Sequence, residues 1–409
     1  MNRHARVRPE SPVARRAVRG ALGLVAAGIV IVALAPPAAA QGYTFVKVAD
    51  SADDGFDPIG FGCPAINSGG DIGFKADRID PAAPRLIRGV YRANAAGLER
   101  LTTIAEFGGS FDFVDENTSI SDTGQIAFAV RQDTRKGGQT SSIIRAGSTD
   151  RKDTTVLAEA STTGGLFPDT KKFNRIGFQP SVNDSDVVAL KAETDTVDTF
   201  DFADGLFSGA TKKLTTRYLS TGTQFSEFGT FSRPTINNAG DIAFEAWTDP
   251  DAVPGIFVST GSGFTTIAAP DPNVNPGAPS FNDAGTVVFH RIFNDRGGEE
   301  LVSGNGGPLT VIADTDGPFA SLGTPALNND GDVAFVADLD SGGSGVFLGP
   351  DPVADKVIAT GDVLDGSPVA GVVLCQEGLN DSGELAIQVR FGDPFTPDRT
   401  AIYRATPTP

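Results

Sequence analysis

The sequence predicts an all-β protein, a seven-bladed β-propeller of four-stranded blades, on three observations. One unit recurs seven times, each copy divides into four short β-rich runs, and a strand near the start supplies what the last copy lacks. The repeat is plainest in Ile66-Asn67-Ser68-Gly69-Gly70-Asp71-Ile72-Gly73-Phe74 and in Ile236-Asn237-Asn238-Ala239-Gly240-Asp241-Ile242-Ala243-Phe244. Both read apolar, Asn, two residues, Gly, one residue, apolar, small, Phe. Further copies begin at Asn282, Asn328 and Asn380, with Gly285, Gly331 and Gly383 in the glycine slot. Degenerate copies begin at Ser121 and Asn183, where Asp186 replaces Gly and Leu190 replaces Phe. The key positions stand 45 to 62 residues apart, about one four-stranded blade each.

Within a unit, strand a is the apolar pair before Asn, as in Pro279-Ser280-Phe281. The Asn-x-x-Gly that follows is a structural turn, because Asn hydrogen-bonds its own backbone and Gly accepts left-handed dihedrals. Strand b comes next (Asp332 to Ala337), then c (Gly255 to Val258) and d (Phe264 to Ala268), rich in β-branched and aromatic residues. The seventh unit stops after strand c, and residues 43–50 have the strand d pattern, so they are expected to complete the last blade and close the ring. An open solenoid would need polar caps, and none is visible. Cys63 and Cys375 precede the asparagines of units one and seven, which closure makes neighbours, so a disulfide is expected. In the loop-entropy account it stabilises by at most about 5–6 kcal/mol. Two buried free thiols are the alternative.

Residues 1–40 read as a cleaved secretory signal: an arginine-rich start, an apolar run from Ala21 to Ala35, and a small-residue ending at Ala40. That leaves residues 41–409 as a single propeller domain, secreted, extracellular or periplasmic, with no transmembrane segment after cleavage. With 33 Lys plus Arg against 51 Asp plus Glu the net charge is -18, which excludes nucleic acid and anionic lipid as partners.

The Asn-x-x-Gly turns followed by small-Phe, behind a signal sequence, resemble bacterial exported choice-of-anchor tandem repeat proteins over about residues 43–405. Here Gly240 and Ala243-Phe244 are separated by two residues, fewer than in that family's signature, and the chain ends in Thr406-Pro407-Thr408-Pro409 rather than an anchoring tail. The resemblance implies an extracellular repeat protein and brings no catalytic residues with it.

Short a–b and c–d turns trim one rim, so binding is expected on the other, where the b–c loops and the d–a crossovers (51–62, 106–117, 161–178 and 221–233) emerge. The residues just past strand b form a notional ring of ligand candidates there: Asp77, Arg131, Glu193, Trp247, Asp338 and Arg390, with Ile292 completing it. Acids, arginines and one Trp suit a sugar ring, although a rim Trp such as Trp247 more often packs between blades. Asp314, Asp316, Asp338 and Asp340 offer hard oxygens for calcium without matching a full calcium loop. No cofactor is required. His290, the one histidine outside the signal, excludes a multi-histidine metal site. The expected function is a non-catalytic exported scaffold that binds a polysaccharide, an envelope component or a protein partner through the long-loop face. The alternatives are a secreted polysaccharide hydrolase or lyase using carboxylates at the channel mouth, and a calcium-dependent adhesion module.

Overall fold

In the computed structural model each repeat asparagine opens a hairpin. The structure describes residues 42–79, 86–95, 97–103, 111–133, 139–148, 153–162, 173, 175–195, 202–220, 224–228, 233–248, 250–261 and 263–408. All belong to one unit, Pro37–Pro409, and the expected signal segment lies outside them. In the first hairpin Asn67 Oδ1 accepts the Asp71 N–H at 2.8 Å, and Gly70 donates to the Asn67 carbonyl at 3.0 Å. Gly70, Gly240, Gly285, Gly331 and Gly383 all have positive φ, as does Asp186 (φ 59°) where the repeat departs from glycine. The asparagine also reaches sideways. Asn67 Nδ2 donates to the Ser121 carbonyl of the next blade at 3.0 Å, and Asn380 Nδ2 closes the circle on the Asn67 carbonyl at 2.9 Å.

The sheets number seven, and in blades one to six the strands run a to d from the axis outwards. Blade four is representative, with strand a in two pieces, Phe225–Phe228 and Thr235–Ile236, then Ile242–Thr248, Val253–Thr260 and Gly263–Ala268. In blade seven Ser367–Val373, Leu385–Gly392 and Pro397–Pro407 are followed by Tyr43–Asp50, which pairs antiparallel with Pro397–Pro407. The N-terminal strand therefore closes the ring, as expected. Cys63 and Cys375 form a disulfide with Cα atoms 5.7 Å apart.

One expectation needs correction. The apolar pair before Asn is only the lower half of strand a; its upper half lies inside what reads as crossover loop, at Arg175–Ile176 and Phe225–Phe228, while in blade two the single strand Phe111–Ile120 spans both halves. A kink separates the halves. There Gly62, Gly177, Gly277 and Gly323 each donate an N–H to a strand b carbonyl, at Lys75, Lys191, His290 and Val336 respectively. The b–c loops also shrink, since strand b extends to Ile79, Asp133 and Asp195 in the first three blades.

Strands b and c are sandwiched between neighbouring blades, which is why they read as continuous apolar runs. Each of seven buried clusters occupies a seam between consecutive blades. The cluster holding Phe74, Tyr91, Ala386 and Ile402 seals blade seven to blade one. The Phe of strand b faces an aromatic of strand c in register, Phe74 with Tyr91, Phe244 with Phe257 and Phe335 with Phe347. A Cβ on Gly89, Gly205, Gly255 or Gly345 would stand within 3.0 Å of the ring two residues on, which accounts for the Gly-x-aromatic pattern of strand c. Phe56 and Phe225 wedge into such clusters.

Two polar networks tie the ring. On the trimmed rim, the residue after each asparagine accepts an N–H from its predecessor: Ser68 donates to Asp122, and the relay runs through Asp184, Asn238, Asp283 and Asn329 to Asp381 at 2.7–2.9 Å. It stops where Ser68 is too short to accept from Asp381. At the closure, Arg399 forks onto Asp50 (2.6 and 2.8 Å) and reaches Asp365 (3.0 Å), while Lys47 pairs with Asp50 at 2.9 Å. Burial pushes the Asp50 carboxyl up, but Arg399, Lys47 and the Ala52 N–H outweigh it and hold it below the ordinary range. The Tyr403 hydroxyl and Arg399 lower Asp365 likewise.

Replacing both cysteines with alanine should cost about 2–5 kcal/mol in denaturant unfolding under non-reducing conditions, and a change under about 0.5 kcal/mol would remove the disulfide from the stability account. Ser68→Asn supplies the missing acceptor and should stabilise by about 0.5–1 kcal/mol, seen as a raised melting temperature. Arg399→Gln should cost about 2–3 kcal/mol near neutral pH. Because Asp50 and Asp365 are lowered in the fold, that difference should be full above about pH 4–5 and shrink as pH falls through the folded values. A difference unchanged down to about pH 2 would exclude the network as its source.

Candidate ligand-binding face

The six candidates expected just past strand b, Asp77, Arg131, Glu193, Trp247, Asp338 and Arg390, lie inside it, one or two residues before its end on the untrimmed face, because the strand runs further than its apolar core. Geometry separates them. Asp77 is buried in the seam between blades one and two, 3.2 Å from Lys75, which also meets Glu116 at 3.2 Å. Burial raises the Asp77 carboxyl despite Lys75. Arg390 donates to the Pro394 carbonyl at 3.1 Å and props the turn whose Phe395 is 87% exposed. Asp338 accepts from Ser321 at 2.8 Å, and Trp247 is half-buried opposite Pro254. His290 bonds Glu299 at 3.1 Å in the seam towards blade six, and burial lowers its pKa.

The calcium candidates do not converge. Asp314 accepts the Asp316 N–H at 3.0 Å in a local turn, and Asp340 donates its backbone N–H to Pro318. Among the described residues no group of three or more His, Cys, Asp or Glu side chains could hold a metal ion.

The axis itself is bridged by residues that sequence reasoning missed. Gln376, from blade seven, donates to Thr235 at 3.0 Å and to the Pro279 carbonyl, while the Glu377 carboxylate accepts from Ser181 at 2.9 Å and from Arg233 at 2.7 Å. These bonds tie blade seven to blades three, four and five. Below them is a cup of about 140 Å³ rimmed by the Asp and Asn side chains of the relay.

Arg131 and Glu193 share a cavity of about 590 Å³ between blades two and three, with Arg175, Phe178, Gln179 and Asp115. Arg175 pairs with Glu193 at 2.6 Å across the strand a to strand b ladder, and Lys191 pairs with Asp204 at 3.4 Å. Arg131 lies over the Phe113 ring at 5.3 Å, and Phe113 meets the 38% exposed Phe178 edge to face at 5.3 Å. Asp115 is buried, and that burial raises its carboxyl although the N–H groups of Gln179 (2.7 Å) and Asn117 oppose the shift. Gln179 itself has φ 67°, an uncommon conformation for a residue with a side chain. Gly177, at the kink beside the cavity, donates its N–H to the Lys191 carbonyl at 2.9 Å, and no sequence pattern announced Arg175 or Phe178 as cavity walls.

A family model described as a family of unknown function, DUF7453, matches residues 29–394. The chain belongs to that family. No curated protein matches it in sequence. Among solved structures, the acylaminoacyl peptidase of Pyrococcus horikoshii superposes with a TM-score of 0.52 at 10% identity, covering 84% of this chain and 50% of the peptidase. The dipeptidyl peptidase 4 of Porphyromonas gingivalis gives 0.46 at 10% identity, covering 82% and 50%. The polysaccharide lyase Uly1 gives 0.45 at 12% identity, covering 84% and 89%. The DUF7453 chain thus spans about half the length of these peptidases, and the likeness is one of fold alone. Among its described residues no helix is long and apolar enough to cross a membrane.

Proposed function

We propose that this protein is an exported, non-catalytic scaffold that binds a glycan in the cleft between blades two and three. The observation that carries the reading is the meeting of Arg131, the Arg175–Glu193 pair and the exposed Phe178 ring around one open cavity of about 590 Å³. An aromatic face covers the apolar face of a sugar, while fixed donors and acceptors meet its hydroxyls. The disulfide fits an oxidising compartment outside the cytosol.

A second reading is hydrolysis at the same cleft. It is favoured by Asp115, whose burial keeps its carboxyl raised and which lines the same cavity as the Glu193 carboxylate, two acids on one cleft being what acid–base cleavage uses.

Phe178→Ala and Glu193→Gln should each weaken glycan binding about tenfold or more in titration calorimetry while leaving the melting temperature within about 2 °C. Unchanged affinity in both would move the binding site off this cleft. Release of reducing ends from a bound glycan, abolished by Asp115→Asn, would establish the second reading.

A further inference from the structure

The cations of the blade two to blade three cleft are not equivalent. Arg175 has Glu193 and Lys191 has Asp204, so each positive charge is answered by a carboxylate of the protein. Arg131 has no such answer: no carboxylate among the described side chains pairs with it, and its Nε is buried without a hydrogen-bond partner. Its one described contact is the Phe113 ring, which fixes the plane of the guanidinium and supplies no acceptor. Asp115, the nearby acid of the cleft, is engaged by the N–H groups of Gln179 and Asn117. A guanidinium that lines a cleft with no carboxylate partner is answered by a bound anion through its charge-assisted hydrogen bonds.

We infer that the cleft takes an acidic glycan, one whose carboxylate or sulfate substituent bonds Arg131 while a neighbouring sugar face rests on Phe178. The inference rests on the glycan reading of this cleft and adds the chemical class of its ligand. A net charge of -18 repels polyanions at long range, so the recognition is local and is suited to a short acidic stretch. A neutral sugar can offer Arg131 a hydroxyl but leaves its charge unanswered, whereas a carboxylate or sulfate makes the stronger charge-assisted bond, which is the source of discrimination.

The test is titration of the full chain with four ligands: a short oligouronate, a sulfated dextran oligomer, a neutral dextran oligomer of the same length, and a short poly-glutamate. Each is repeated on Arg131→Gln, Arg131→Lys and Phe178→Ala, with circular dichroism checking that every variant folds. The expected result is binding of the oligouronate or the sulfated oligomer at least about tenfold tighter than the neutral one, with Arg131→Gln removing that preference and Arg131→Lys restoring part of it. Which of the two acidic oligomers binds identifies the substituent. Neutral dextran binding as tightly as both acidic ligands, with Arg131→Gln without effect, overturns the inference and leaves the glycan reading standing. Poly-glutamate binding as tightly as the sugars, indifferent to Phe178→Ala, overturns both in favour of an acidic protein partner. No binding by any of the four also overturns both.

Discussion

The seventh sheet is built from both ends of the chain. Tyr43–Asp50 lies antiparallel to Pro397–Pro407, from Tyr43 opposite Pro407 to Asp50 opposite Ala401. A propeller blade has two apolar faces, and each needs a neighbour. Six of the seams could form in an open stack, but the seam joining Phe74 and Tyr91 to Ala386 and Ile402 forms only when the last blade returns to the first. The disulfide, the Arg399 fork onto Asp50 and the Asn380 to Asn67 bond all stand at that return. Covalent, ionic and hydrogen-bonded links thus gather at the closure, where chain entropy opposes contact most strongly.

Closure determines what remains for function. The seams are filled with side chains, and bonds from Gln376 and Glu377 cross the axis to Thr235, Ser181 and Arg233. The cleft that gathers cations, an acid and an exposed aromatic therefore lies on the outer part of a seam, between blades two and three. Between blades two and three the kink at Gly177 leaves Phe178 exposed, and Arg131 faces the gap with its Nε unpaired. The same kink in blade five carries Gly277 against His290 and stands beside a smaller cavity of about 380 Å³ between blades four and five, lined by Pro254, Val274, Phe289 and Arg291. One backbone device thus recurs, and the side chains around it set the size and chemistry of the space it leaves.

Much of this was legible beforehand, and the exceptions have physical causes. Asparagine and glycine at fixed spacing reveal the hairpins because those dihedrals admit few other residues, and the sideways bond of the asparagine follows only once blades stand side by side. A further regularity is present in the sequence: Gly62, Gly177, Gly277 and Gly323, each followed by Pro64, Pro180, Pro279 or Pro325 before the asparagine, mark the kink of strand a. In the seventh unit Glu377 occupies that proline position, and it is the residue that bonds across the axis. The candidate ring of site residues was legible as positions and not as a site. Adjacent positions on a cylinder wall point into different seams, so Asp77 went to a buried ion pair and Arg390 to a turn, while Arg131 and Glu193 shared a cavity.

By itself the sequence determined the number of blades, the order of strands and the closing strand, because these follow from local turn chemistry and from a period repeated along the chain; it set the two cysteines side by side, and the structure decided for a bridge over free thiols. Only the tertiary structure decided which charged groups find partners. Ion pairing depends on distances between side chains some 40 to 350 positions apart, as in Lys75 with Glu116 and Arg399 with Asp50, and no local pattern encodes those distances.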